Sequence, residues 1–91
     1  MYKIKPYSIR QARKLGVSIK PSKVKNKKID VFKNGVKVAS IGARGYFDYP
    51  TYISKYGMEV ANKRRRLYHL RHANFSHIKG TASYYASKIL W

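Results

Sequence analysis

Most side chains able to do chemistry in this sequence are cations, and they come in clusters. Lys20, Lys23, Lys25, Lys27 and Lys28 crowd one lysine-rich stretch, and Lys63-Arg64-Arg65-Arg66 is followed by Arg71. Arg44 sits in the glycine-containing run Ile41-Gly42-Ala43-Arg44-Gly45-Tyr46. Lysines so placed are adaptable point charges for phosphate, and arginines are planar donors that grip it with paired hydrogen bonds. Successive backbone N–H groups of the glycine run can cradle a phosphate, with Arg44 adding charge. A simple strand-to-helix turn explains the same residues equally well.

Acid–base and metal chemistry find little support. The only acids are Asp30, Asp48 and Glu59, and there is no cysteine. His69 and His72 stand three apart and His77 follows, yet little else is available to complete a metal shell. Polar surface histidines are the plainer reading. The same scarcity argues against a metal-dependent nuclease, and no nucleophile, base and orienting group form a set. A non-enzymatic protein with no metal, cofactor or small-molecule substrate is expected.

Charge then names the partner. Twenty-one Lys and Arg against three acids give a formal charge of +18 on 91 residues. Such a surplus repels itself, and an external polyanion relieves the repulsion. Nucleic acid fits best because phosphates form a dense and regular array of charge, with DNA expected ahead of RNA, while an anionic membrane surface or an acidic protein would also satisfy the charge. Residues 1 to 28 alone hold ten Lys or Arg and no acid. No apolar run approaches the roughly 20 residues needed to span a bilayer. No secretory signal follows Met1 to Lys5, so an intracellular or virus-packaged protein is expected. A hydrophobic share of 44% sets the chain apart from disordered basic tails, which lack apolar residues to bury.

The elements that must position these groups can be read along the chain. Ser8-Ile9-Arg10-Gln11 has the form of a capping box, predicting a helix from Ile9 to about Leu15 that Gly16 stops. Val17 to Ile19 reads as extended, and Pro21 to Lys28 as a lysine-rich loop. Lys28 to Ile41 predicts a β-hairpin, because Asn34-Gly35 tolerates positive φ at both turn positions. Gly42 to Gly45 should then break the strand. Asp48 can cap a helix beginning near Pro50 and ending near Gly57. The longest helix is expected from Met58 to about His72, followed by a loop from Asn74 to Gly80. Thr81 or Ser83 can cap a last helix running to Trp91.

Helical spacing suggests which faces carry function. At about 100° per residue, Val60, Ala61, Leu67, Tyr68 and Leu70 share one half of the long helix. Arg65, Arg66, His69 and His72 share the other and present a binding face. Arg64 and Arg71 fall among the apolar positions, where pairing with an acid or stacking on a tyrosine is expected. Most aromatics are needed for the core of so small a domain. In the last helix Ala82, Tyr85, Ala86, Ile89 and Leu90 form one face. Tyr84, Lys88 and Trp91 lie opposite as a candidate patch for a protein partner.

Three stretches carry a resemblance: KIDVFKNGVKVASIGARGYFDYPTYISKYG, ANKRRRLYHLRH and KGTASYYASKILW. Together, from about Lys28 to Trp91, they resemble small basic proteins of unknown function from nucleocytoplasmic large DNA viruses, the giant viruses. Phe32 stands where that pattern has Tyr. The resemblance implies a viral origin and presence in the particle or the infected cell, and it brings no catalytic or binding residues with it. Separately, SIRQARKLGVS resembles a short DNA-contacting helix in modules attached to homing endonucleases.

The expectation is therefore a single small α+β domain over residues 1–91. Its basic segment with a short helix (1–28) precedes a hairpin, extended to three strands if Val17 to Ile19 joins, packed with three to four short helices (28–91). It should bind nucleic-acid phosphates largely without sequence specificity, in packaging or organising a viral genome. The contacts would come from Lys20, Lys23, Lys25, Lys27, Lys28, Arg44, Arg65 and Arg66. The alternative is a minor, capsid-associated virion protein whose aromatic surface, with Tyr84, Lys88 and Trp91, meets other virion proteins.

Overall fold

Pro6 opens the first helix, α1 (Pro6–Leu15), where a fixed φ and a missing N–H cost nothing. In the computed structural model, which describes residues 2–74 and 78–91, this start lies ahead of the expected one. Lys5 is the N-cap, without a side-chain bond. Ser8 is therefore no cap. It lies inside the helix, buried, and its hydroxyl has no hydrogen-bond partner. Gln11 turns to the Tyr7 hydroxyl, to which its amide donates at 3.3 Å. Gly16, at φ 73°, stops the helix as expected, its N–H reaching the Ala12 and Arg13 carbonyls.

Three antiparallel strands follow in the order β1-β2-β3: β1 (Ser18–Pro21), β2 (Lys27–Lys33) and β3 (Val36–Ala43). Asn34 and Gly35 take φ of 53° and 79°, the two positive values that match a tight turn to strand twist. Ile19 pairs with Val31 and Ile29 with Ile41, with a register shift at Val31/Phe32. The strand does not break at Gly42. It continues to Ala43, with Gly42 at φ 78° inside it. A Cβ there would lie 2.8 Å from Leu90 Cδ1 and 3.0 Å from Lys28 Cδ, so glycine is needed for both conformation and space.

The remaining helices are α2 (Tyr49–Tyr56), α3 (Met58–Arg71) and α4 (Ala82–Ile89). Asp48 caps α2 by accepting from the Thr51 N–H, and the Thr81 hydroxyl accepts from the Tyr84 N–H to cap α4. One face of the sheet, with Ile29, Val31 and Ile41, packs on Ala12 of α1 and on Tyr85, Ile89 and Leu90 at the end of the chain. That cluster is the core, and the α+β single domain stands as expected.

The helices α2 and α3 pack on each other. They join the core through the Tyr49 N–H, which donates to the Leu90 carbonyl at 3.0 Å. On α3 only Ala61 and Tyr68 of the expected apolar half are covered. Val60, Leu67 and Leu70 are exposed, Leu70 by 69%. The covered stripe is Ala61, Arg65, Tyr68, His69 and His72. Its spacing is helical, but its side chains are small, aromatic or polar, because the helix meets tyrosines and Trp91 instead of an aliphatic core.

Candidate nucleic-acid interface

The sheet's second face is built by alternation along β1 and β2 and by the register shift at Val31/Phe32, which brings Lys37 onto it. Ser18, Phe32 and Lys37 lie in register across the three strands, as do Lys20, Asp30 and Ser40. Ser18, Lys20 and Lys37 are exposed, and the Lys20 ammonium lies 5.4 Å from the centre of the Phe32 ring. Asp30 is the one acid on this face, and it is occupied. Its carboxylate accepts from the Ser22 hydroxyl at 2.6 Å and the Ser40 hydroxyl at 2.7 Å. Burial pushes its pKa up, but these hydrogen bonds and the Lys37 charge outweigh burial and hold it below the usual carboxylate value.

At the end of that face the chain gathers cations. Ser22, Lys23, Val24, Lys25, Asn26 and Arg44 line a groove of about 420 Å³. Arg44 is brought there by two bonds: its N–H donates to the Asn26 carbonyl at 3.0 Å and its Nε to the Lys27 carbonyl at 3.2 Å. Arg44 thus meets Lys23 and Lys25 although it lies far from them in sequence, and Lys20 lies on the strand that feeds the loop. The backbone of the glycine run serves this closure.

Lys28 was expected among the phosphate contacts and is not available for one. It is 5% exposed, with its ammonium 3.2 Å from Asp48 Oδ2 and donating to the Tyr46 carbonyl. Among the described residues this is the one ion pair. Tyr2 also donates its hydroxyl to Asp48, at 2.5 Å, and Thr51 Oγ1 donates at 2.6 Å. Burial raises the Asp48 pKa, but Thr51, Tyr2 and Lys28 together hold it below the ordinary value. Burial and the neighbouring carboxylate push the Tyr2 phenol far upward, so it stays protonated.

Two of the four arginines of α3 depart from the roles expected of them, Arg65 and Arg71, while Arg64 lies near a tyrosine and Arg66 is exposed, as expected. Arg65 is half-buried with its guanidinium 5.0 Å from the Tyr49 ring centre, whereas Arg64 is exposed and 5.8 Å from Tyr52. Arg66 is exposed beside Glu59, Asn62 and Lys63. Arg71 is exposed, has no ion pair among the described residues, and lines a cleft with Lys27, Tyr46, Tyr68 and Trp91. Arg65 and Arg66 do not join the groove of Lys23, Lys25 and Arg44.

Of the candidate partner patch, Lys88 is exposed, 6.0 Å from the Tyr84 ring. Tyr84 is half-buried against the core, and Trp91 stacks on Tyr68 at 4.5 Å. His72 also stacks on Tyr68, at 4.3 Å, and His69 meets Tyr68 edge-on. No group of three or more potential metal ligands occurs among the described residues, and His77 lies outside them. None of the described helices is long and apolar enough to cross a membrane.

Sequence reasoning overlooked Phe32, to which strand alternation points, and Lys37, which joins the open sheet face only through the register shift at Val31/Phe32. It assigned Arg71 to the fold, and no local signal separates it from Arg64.

Comparison with known proteins adds one match. A family model described as a family of unknown function (DUF5754) matches residues 17–52, which run from just before β1 into the first turn of α2. No curated protein and no solved structure gives a significant match. The matched stretch contains the sheet, the basic loop, Arg44 and the Lys28–Asp48 pair.

Proposed function

We propose that the protein is a non-enzymatic nucleic-acid-binding protein that grips phosphates largely without regard to sequence. The observation that carries this reading is the meeting of Lys23, Lys25 and Arg44 around one groove beside the exposed Lys20 and Lys37, in a chain whose described residues hold a single internal ion pair. Cations left unpaired and gathered on one side release counterions from a polyanion, which drives binding without base contacts. Lys20, Lys23, Lys25, Lys27 and Arg44 are the contacts on the sheet side, and Arg66 adds a separate one on α3. Together with the likeness to giant-virus proteins, the charge supports a role in packaging or organising a viral genome, with DNA as the partner.

The test is binding to unrelated duplexes of equal length across a salt series. About six phosphate contacts give a log–log slope near −5, with little preference among sequences. A flat salt response rejects the reading.

A second reading, a minor virion protein that contacts other virion proteins, draws support from a different surface than expected. Tyr84 and Trp91 are engaged within the domain, but Met58, Val60, Leu67 and Leu70 expose apolar side chains along α3. Substituting Leu70→Lys should leave nucleic-acid binding intact and remove the protein from assembled particles if this surface docks. Retention of the variant rejects that docking.

A further inference from the structure

Beside the basic groove lies a second concavity, of about 520 Å³, whose lining is dominated by rings and cations. Part of it is a preformed stack. Trp91 lies nearly parallel to Tyr68, with centroids 4.5 Å apart and planes 9° apart, and Tyr68 in turn stacks on His72 at 4.3 Å. Another part is the turn before α2, which contributes Tyr46 and Phe47. Tyr46 is 72% exposed, an unusual place for a large ring in a domain short of core.

The backbone beneath Tyr46 is nonetheless held. Its carbonyl accepts from Lys28, and Asp48, two residues on, is tied to Tyr2, Thr51 and the same lysine. Phe47 meets Tyr52 edge-on at 5.5 Å. The turn thus presents an uncovered ring from a fixed frame. A ring carried on a fixed backbone can stack on a flat ligand without reordering the turn that bears it.

The cations in the lining decide the kind of flat ligand. Lys28 and Asp48 neutralise each other, which leaves Lys27 and Arg71 as unpaired positive charges, with Arg71 exposed. Lys27 also borders the groove of Lys23, Lys25 and Arg44, because its carbonyl accepts from Arg44. A backbone lying in that groove would therefore lead into the cleft. Aromatic faces beside unpaired cations match a nucleobase with its phosphate, and a concavity of a few hundred cubic ångströms accommodates a ligand of that size.

We propose that this cleft receives an unstacked nucleobase from a single-stranded nucleic acid, with Tyr46 and the Trp91–Tyr68 stack against the base and Lys27 and Arg71 on the adjoining phosphates. A paired duplex keeps its bases stacked and cannot offer one to the cleft. The inference rests on the nucleic-acid-binding reading, and adds to it a preference for single strands.

Trp91 is the chain's only tryptophan, and it reports on the cleft directly. Its emission should be followed while the protein is titrated with an oligothymidylate, the matching oligouridylate, an abasic strand of equal length, a fully paired duplex and thymidine monophosphate. The base-bearing strands should quench Trp91 and bind about tenfold more tightly than the abasic strand, as expected for stacking of one base. Tyr46→Ala should remove that advantage while leaving duplex affinity and circular dichroism unchanged.

Equal affinity for base-bearing and abasic strands, with Trp91 emission unaltered, overturns the base-binding cleft while leaving charge-driven binding in place. Saturation by the mononucleotide at the same concentration as by the strand overturns the single-strand proposal in favour of a free nucleotide. Absence of binding to every polymer overturns both the cleft and the reading it rests on.

Discussion

The Lys28 ammonium lies 3.2 Å from the Asp48 carboxylate, and both side chains are almost wholly out of solvent. This pair joins the start of β2 to the cap of α2, and through the Tyr46 carbonyl it fixes the turn that leads from β3 into α2. One ion pair thus holds together the sheet, the helix cap and the turn that carries Tyr46. It also withdraws one lysine from the proposed phosphate contacts.

Removing the charge of Asp48 should be costly. Asp48→Asn preserves size but leaves the buried ammonium without its anion, and the expected loss is about 3 kcal/mol. Urea unfolding of the variant checks this. A change below about 0.5 kcal/mol would mean that the pair does not hold this junction.

Acid should destabilise the fold in two stages. The folded pKa values of Asp30 and Asp48 lie below ordinary carboxylate values. The unfolded chain therefore takes up these protons first, and the stability they provide is lost as pH falls from about 4 toward their folded values. His69 has its pKa lowered by burial and by Arg65. Its contribution is present above the unfolded value of about 6.5 and is lost as pH falls below it. Thermal unfolding from neutral to acid pH should show a shallow decline that His69→Gln removes and a steeper one that Asp48→Asn reduces.

Substituting Lys23, Lys25 and Arg44 together by glutamine should leave stability nearly unchanged, since all three are exposed. Each phosphate contact removed should lower the magnitude of the salt slope on duplex DNA by about 0.9. Lys28→Gln serves as the contrast, because its effect should fall on stability. A triple variant with the parental slope would remove the groove from the binding surface.

Two glycines of similar φ should respond differently. Gly42→Ala adds an atom against Leu90 at 2.8 Å in a left-handed conformation, and a loss of about 3 kcal/mol is expected. Gly35→Asn meets nothing within 4 Å, and asparagine tolerates positive φ, so the loss should stay below about 1 kcal/mol. Denaturant midpoints of the two variants give the comparison.

Much of the architecture was legible along the chain because its signals are local. The Asn34-Gly35 turn, the stop at Gly16, and the caps Asp48 and Thr81 each depend on a few neighbouring residues. The capping box at Ser8 misled because Pro6 starts the helix earlier, and a buried hydroxyl inside a helix leaves no local trace.

The sequence by itself determined the kind of partner to look for and the α+β content, since net charge and local patterning survive any arrangement of the chain. Only the tertiary structure decided which cations remain free. Lys28 and Lys27 are adjacent in sequence, yet one is buried against Asp48 and the other borders a groove and a cleft. Arg64 and Arg65 are likewise neighbours, and which of them is covered depends on where α2 lies. A charge becomes a contact or a brace according to what the fold places beside it, and that neighbour comes from a distant part of the chain.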